Sequence, residues 1–243
     1  MENNNLVVKS LWIDNRIGPL QELCMKSYPA MGHIFHLYTY QKIHNLPPHI
    51  VVKDANDIVH KDLIFKDTRN SYATFSDLFR IVLLHKAGGW WVDCDTVCLK
   101  KLDFKESFVF ATERDGSGRP IVCNAVIKMP KESAFGKKLL DLILATLRSK
   151  NAADICWTEI GAMHMDTVIR RMKLHSFMQP PEAFCPVDFQ NFEQFLTVDS
   201  ADIVKHSYIV HLWQKMWEAN GTDPKMQGDN GSFIENIRQS PPI

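Results

Sequence analysis

Apolar runs alternate with stretches of helical periodicity through the first half of the chain. VVKSLWI (7–13) has the length and composition of a buried strand, and a helical stretch follows through LQELCMKSY (20–28). HIFHLYTY (33–40) and IVV (50–52) are the next strand candidates. Such alternation predicts a mainly parallel sheet with helices on both faces. The clearest helical pattern runs from Ser71 to Ala87, where Phe75, Leu78, Phe79, Val82 and Leu83 share one face at i, i+3, i+4, i+7 and i+8 spacing. Ser71 and Thr74 are the expected caps. Gly88 and Gly89 end this helix, because glycine takes the left-handed conformation without penalty. WWVD (90–93) then reads as a strand that leaves the turn at once and carries Asp93-Cys94-Asp95 at its carboxyl end.

In the second half, SFVFATE (107–113) and IVCNAVIKM (121–129) read as strands flanking the glycine-rich turn RDGSGRP (114–120). SAFGKKLLDLILATLRS (133–149) and GAMHMDTVIRRM (161–172) read as helices, and YIVHLW (208–213) as a late short strand. From Glu218 onward the chain turns polar and rich in Gly and Pro, as a flexible tail or a loop that orders over a ligand would be. No linker or repeat divides the 243 residues, so one domain is expected.

Charge narrows the partners. The chain has 28 Lys+Arg and 28 Asp+Glu, a formal net charge of zero. That argues against a sequence-independent nucleic-acid binder, which needs a basic surface to displace counterions. No polybasic run addresses an anionic membrane, and no apolar stretch reaches the roughly 18–20 residues of a spanning helix. The opening MENNNLVVKS is too polar for a secretory signal. A cytoplasmic enzyme is therefore expected, with peripheral attachment to a membrane left open. Cys24, Cys94, Cys98, Cys123, Cys156 and Cys185 are scattered without a C-x-x-C pair, which favours reduced thiols. Cys94 and Cys98 are four apart but lack a matching His/Cys pair, so they do not suggest a structural zinc site.

The sharpest chemical feature is the pair Asp93 and Asp95. Two carboxylates flanking one residue on a strand share a face and repel there. A divalent cation relieves that repulsion, and hard oxygen ligands suit Mg²⁺ or Mn²⁺. The carboxyl end of a strand in an open α/β sheet is also where ligands bind. The preceding helix carries Ser76, Asp77 and Arg80. Asp77 and Arg80 are three apart, a spacing that gives either a surface ion pair or a polar edge lining the same pocket. Trp12, at the end of LWID, is either core or a platform for a planar base. His211, Trp213 and Trp217 form a late cluster in which the imidazole is structural or a metal ligand.

The stretch FSDLFRIVLLHKAGGWWVDCDTVCLKKLD (75–103) strongly resembles the donor-binding signature of glycosyltransferase family 32, which includes capsule and mannosyl transferases and is related to the glucosylating domains of clostridial toxins. The family pattern is S-D-x-x-R, an aliphatic run, then G-G-x-Y-x-D-x-D, with Trp91 here in place of Tyr. LWID (11–14), CNAVIKMPKESAF (123–135) and HLWQKMW (211–217) resemble further family blocks in the same order. In them Asp14 stands for Gly and Met216 for Ser.

The resemblance implies a GT-A-type, Rossmann-like fold: a mostly parallel mixed sheet flanked by helices. It implies a donor half over about 1–103, an acceptor half over about 104–217 and a tail or lid over 218–243. It also implies a retaining, metal-dependent transfer of a hexose-type sugar from a nucleotide-sugar, with a UDP-sugar expected as donor, to a glycan, glycolipid or protein. By position, Trp12 would stack on the base, and Ser76, Asp77 and Arg80 would hold ribose and sugar. Asp93 and Asp95 would engage ribose and Mn²⁺ or Mg²⁺, with Asp95 the more direct ligand. Asn124 would contact the transferred sugar or acceptor, His211 would complete the metal site, and Trp213 or Trp217 would close over the donor.

Two other readings remain. DCDTV superficially matches the D-x-D-x-T of haloacid-dehalogenase-type phosphatases, whose first Asp is a nucleophile. Here, though, Thr96 follows the second Asp directly and the motif lies far from the first strand. A non-catalytic nucleotide-sugar or carbohydrate-binding module would keep Trp12 and the acidic pair without turnover.

Overall fold

A computed structural model describes residues 6–221 and 228–239. The strands are β1 (Val7–Trp12), β2 (Ile34–Thr39), β3 (Ile50–Asp54), β4 (Gly89–Val92), β5 (Thr96–Cys98), β6 (Val109–Arg114), β7 (Pro120–Met129) and β8 (Ile209–His211). The α-helices are α1 (Pro19–Ala30), α2 (Ala73–Ala87), α3 (Ala134–Ser149), α4 (His164–Met172), α5 (Pro181–Phe184), α6 (Ser200–Val204), α7 (Gln214–Ala219) and α8 (Phe233–Gln239). Six strands form one sheet in the order β3-β2-β1-β4-β7-β6, while β5 and β8 make a separate two-stranded ladder. The first four are parallel, and β7 and β6 add antiparallel at the edge. This is the mostly parallel mixed sheet, flanked by helices, that the family resemblance implies, and its parallel part is what the pattern predicts.

Both faces of the sheet are covered because neighbouring strand residues point to opposite sides. Trp90 packs with Val8, Phe35 and the α1 residues Cys24, Met25 and Tyr28. Trp91, one residue on, packs with Phe75, Phe79 and Leu83 of α2 and with Phe135 and Leu139 of α3. The GGWWV run is thus buried on both faces, as a central parallel strand requires.

Three local details differ from expectation. Tyr72, not Ser71 or Thr74, occupies the N-cap of α2, with no side-chain cap bond. The Thr74 hydroxyl instead donates to Asp67 Oδ2 at 3.0 Å, and Asp67 Oδ1 accepts the N–H groups of Arg69 and Ser71. The loop's own Asx turn competes for these groups. At the other end Gly88 has φ 65° as expected, and a Cβ there would strike the Lys131 backbone. Helix α4 starts three residues later than expected, since Glu159–Met163 forms a single π-helical turn. The π turn brings the Gly161 backbone against Asp77 and Asn124, where any Cβ would collide with both side chains.

The third difference is in the segment expected to be a polar tail. Phe233–Gln239 is a helix with Phe233, Ile234 and Ile237 buried, so it packs as part of the body. Residues 222–227 and 240–243 of that segment lie outside the described residues. Among the described residues no helix is long and apolar enough to cross a membrane.

Candidate active site

Strand β4 ends at Val92, and residues 93–95 turn toward β5, closed by the Thr96 N–H on the Asp93 carbonyl at 3.2 Å. The two carboxylates therefore do not share a strand face as expected. The turn gives each its own set of partners, and the sheet fixes the turn: the Asp93 N–H donates to the Ala125 carbonyl of β7 at 2.9 Å.

Asp93 faces α2. Its Oδ1 accepts the Trp91 indole N–H at 2.7 Å and lies 3.2 Å from Arg80. Trp91, standing where the family pattern has Tyr, thus supplies a donor of its own. Arg80 also pairs with Asp77 Oδ1 at 3.2 Å, donates to the Asn124 carbonyl at 2.5 Å and to the Ser76 hydroxyl at 3.2 Å, and lies 4.9 Å from the Trp91 ring centre. Asn124 Nδ2 donates to Asp77 Oδ1 at 2.7 Å. Ser76, Asp77, Arg80, Asp93 and Asn124 are hence one connected network. Asp77 and Arg80 are 7% and 4% exposed, which removes the surface-pair alternative. Burial pushes the Asp77 carboxyl up to about 6, although Arg80 and Asn124 pull it down. Burial also raises Asp93, against the opposing pull of Arg80.

Asp95 faces the other way. Its Oδ2 lies 3.3 Å from His211 Nε2 and accepts the Gln214 N–H at 3.0 Å, and its carbonyl accepts the Leu212 N–H. Burial raises its carboxyl, but His211 and the Gln214 N–H more than offset this, so Asp95 is held below its ordinary value. At His211 burial disfavours the charged form, yet the Asp95 carboxylate dominates and raises it well above the usual imidazole range. The His211 imidazole and the Asp95 carboxylate thus stand at ion-pair distance and favour each other's charged form. The β5–β8 ladder sets this contact by placing Thr96 opposite His211.

The tryptophans divide. The Trp213 ring lies 3.9 Å from the His211 ring centre at 39°, and its indole N–H donates to the Val187 carbonyl. Its φ of 56° is left-handed for a large side chain, a strain the site maintains. Trp217 is 1% exposed, donates to the Leu212 carbonyl and packs edge-on against Phe192. It is core, and does not line the site as expected. Trp12 ends β1 at the same carboxyl end of the parallel strands, next to Leu11, whose carbonyl accepts the Cys94 thiol. Its indole N–H donates to the Arg16 carbonyl at 2.8 Å.

Asp93, Asp95 and His211 each present a ligand atom, all within 4.8 Å of one another. Two carboxylate oxygens and one imidazole nitrogen match the donor chemistry of Mn²⁺ or Mg²⁺. Sequence reading missed Gln214, whose N–H fixes Asp95, and Gly161, whose bare backbone admits the Asp77–Asn124 pair. A glycine just ahead of a helical pattern was the only available signal for the latter.

Two protein-family models match this chain. One, described as capsular polysaccharide synthesis protein, covers residues 39–159 and so takes in α2, β4 and the acidic turn. The other, the alpha 1,4-glycosyltransferase conserved region, covers residues 135–238 and takes in His211 and Trp213. The chain is a glycosyltransferase. Among solved structures the transferase is similar to PaToxG glycosyltransferase, with a TM-score of 0.52 and 14% identity over 96% of this chain and 86% of that one. That likeness is one of fold, and the fold is of the GT-A type. GlyE of Streptococcus pneumoniae is also similar, at 13% identity over 89% of this chain and 60% of that one, with a TM-score of 0.45. No curated protein sequence matches the transferase.

Proposed function

We propose that this glycosyltransferase moves a hexose-type sugar from a UDP-sugar to a hydroxyl of a glycan, glycolipid or protein, with a divalent metal and with retention at the anomeric carbon. The observation that carries the reading is the convergence of Asp93, Asp95 and His211 beside the Arg80 network at the carboxyl end of β4. In the reaction the anomeric carbon exchanges its bond to the diphosphate for one to the acceptor oxygen, and the acceptor's proton ends on the leaving phosphate.

Asp95 and His211, with Asp93, would hold Mn²⁺ or Mg²⁺, which as a Lewis acid offsets charge on the departing diphosphate. The protein's own groups do the rest. Arg80 is a fixed buried cation that sets the positions of Asp77, Asp93 and the Asn124 carbonyl, so the polar wall is ordered before substrate arrives. Asn124, held by Asp77, presents its amide toward sugar or acceptor. Trp12 offers a face to the base, and Trp213 keeps the His211 ring in place. Every carboxylate of the cluster already has a cationic partner, Arg80 for Asp77 and Asp93 and His211 for Asp95. None is a free nucleophile, which favours same-face attack by the acceptor hydroxyl.

The test is UDP-sugar hydrolysis and transfer by Asp95→Asn. The reading predicts a loss of turnover of about 100-fold or more with the fold retained, on the scale of losing one preorganised electrostatic contact. Unchanged turnover would remove Asp95 from the reaction.

A further inference from the structure

His211 has a second face. Its Nε2 is directed at Asp95, and its buried Nδ1 makes no hydrogen bond of ordinary geometry, although the Cys123 thiol interacts with the ring. Close to the ring lie two thiols from different parts of the chain: Cys123 on β7, and Cys185, which follows α5. Their sulfurs are 3.9 Å apart, with Cys185 5%-or-less exposed like Cys123. Cys123, Cys185 and His211 each offer a ligand atom within 4.8 Å of the others. Glu113, on β6, lies partly buried beside Cys123.

We propose that Cys123, Cys185 and His211 form a binding site for a thiophilic divalent cation of the Zn²⁺ class, distinct from the carboxylate site but sharing its histidine. Two sulfurs and one imidazole nitrogen are a soft donor set that selects Zn²⁺ over Mg²⁺ or Mn²⁺. The spacing fits: two thiolates at about 2.3 Å from one tetrahedral zinc stand about 3.8 Å apart. Glu113, beside Cys123, is the candidate for the fourth position. Nδ1 is the third ligand, and with it engaged Nε2–H donates to Asp95. That is the carboxylate–histidine–metal arrangement which fixes ring orientation in known zinc sites.

Sharing the histidine has a consequence that rests on the reading of Asp93, Asp95 and His211 as the Mn²⁺ site. A cation on Nδ1 commits Nε2 to Asp95 as a donor and withdraws it from Mn²⁺. Zinc binding and Mn²⁺ binding are then antagonistic through one imidazole.

The experiment titrates Co²⁺, as a spectroscopic stand-in for Zn²⁺, into the metal-free full chain kept reduced with a phosphine. The proposal predicts a thiolate-to-cobalt charge-transfer band and strong tetrahedral visible bands that saturate at one equivalent. Both should fall at least tenfold in Cys123→Ala and in Cys185→Ala, and persist in Asp93→Asn. Absence of the band in the unmodified chain would overturn the proposal without any variant needing to fold, as would its persistence in Cys185→Ala. Mn²⁺ binding, followed by the resonance signal of free Mn²⁺, should weaken at least tenfold on adding one equivalent of Zn²⁺, and Cys185→Ala should lose that effect. If Mn²⁺ binds nowhere, the proposed function fails, while the cobalt band alone still decides the thiolate site.

Discussion

Arg80 and His211 hold the two ends of one acidic turn by different means. On the Arg80 side the cation is permanent, 4% exposed and shared between Asp77 and Asp93. On the His211 side the cation is a proton on an imidazole, raised by the Asp95 carboxylate. A guanidinium cannot give up its charge at any working pH, but an imidazolium exchanges its proton for a metal ion. The first side is a fixed wall, and the second is, on the proposed reading, the place where a metal enters. One intervening residue, Cys94, separates these two kinds of electrostatics.

The comparison breaks most readily at Arg80. Arg80→Met removes the compensating charge from two buried carboxylates and should destabilise the fold by about 3–5 kcal/mol in denaturant unfolding. A cost below about 1 kcal/mol would mean that the network does not depend on this cation. A pH series sharpens the same side. The Asp77 carboxyl rises from 3.8 unfolded to about 6 folded, so the folded state holds its proton more tightly. Its contribution is full below about 4 and is lost as pH climbs through 6, an effect on the order of 3 kcal/mol. The stability of the wild type relative to Asp77→Asn should therefore fall between those pH values; a flat difference would refute the shift. The smallest effect lies at the carboxyl end of β1, where Trp12→Ala should weaken UDP binding by about 1–3 kcal/mol if the ring stacks on the base. Equal affinity would return Trp12 to a packing role.

The two sides also differ in how legible they were. Ser76, Asp77, Arg80, Asp93 and Asp95 lie within twenty residues, on a helix, a glycine turn and a strand whose periodicities are plain, so the Arg80 side could be read almost whole. Asn124 was reached only through the family pattern. The His211 side is assembled by the β5–β8 ladder, which joins residues more than a hundred positions apart. Its backbone donor from Gln214, and the Cys123 and Cys185 pair behind the histidine, leave no local trace in the sequence. Trp217 misled because an aromatic in a family block looks the same whether it faces ligand or core. The helix Phe233–Gln239 was hidden by polar neighbours, although Phe233, Ile234 and Ile237 carry a helical spacing of their own.

The most direct test of the central claim, that this turn holds a nucleotide-sugar through a metal on its His211 side, is calorimetric titration of UDP with and without Mn²⁺ into the wild type. The account predicts UDP binding with Mn²⁺ present and at least tenfold weaker binding without it. Equal affinity under both conditions, or no binding under either, would contradict it.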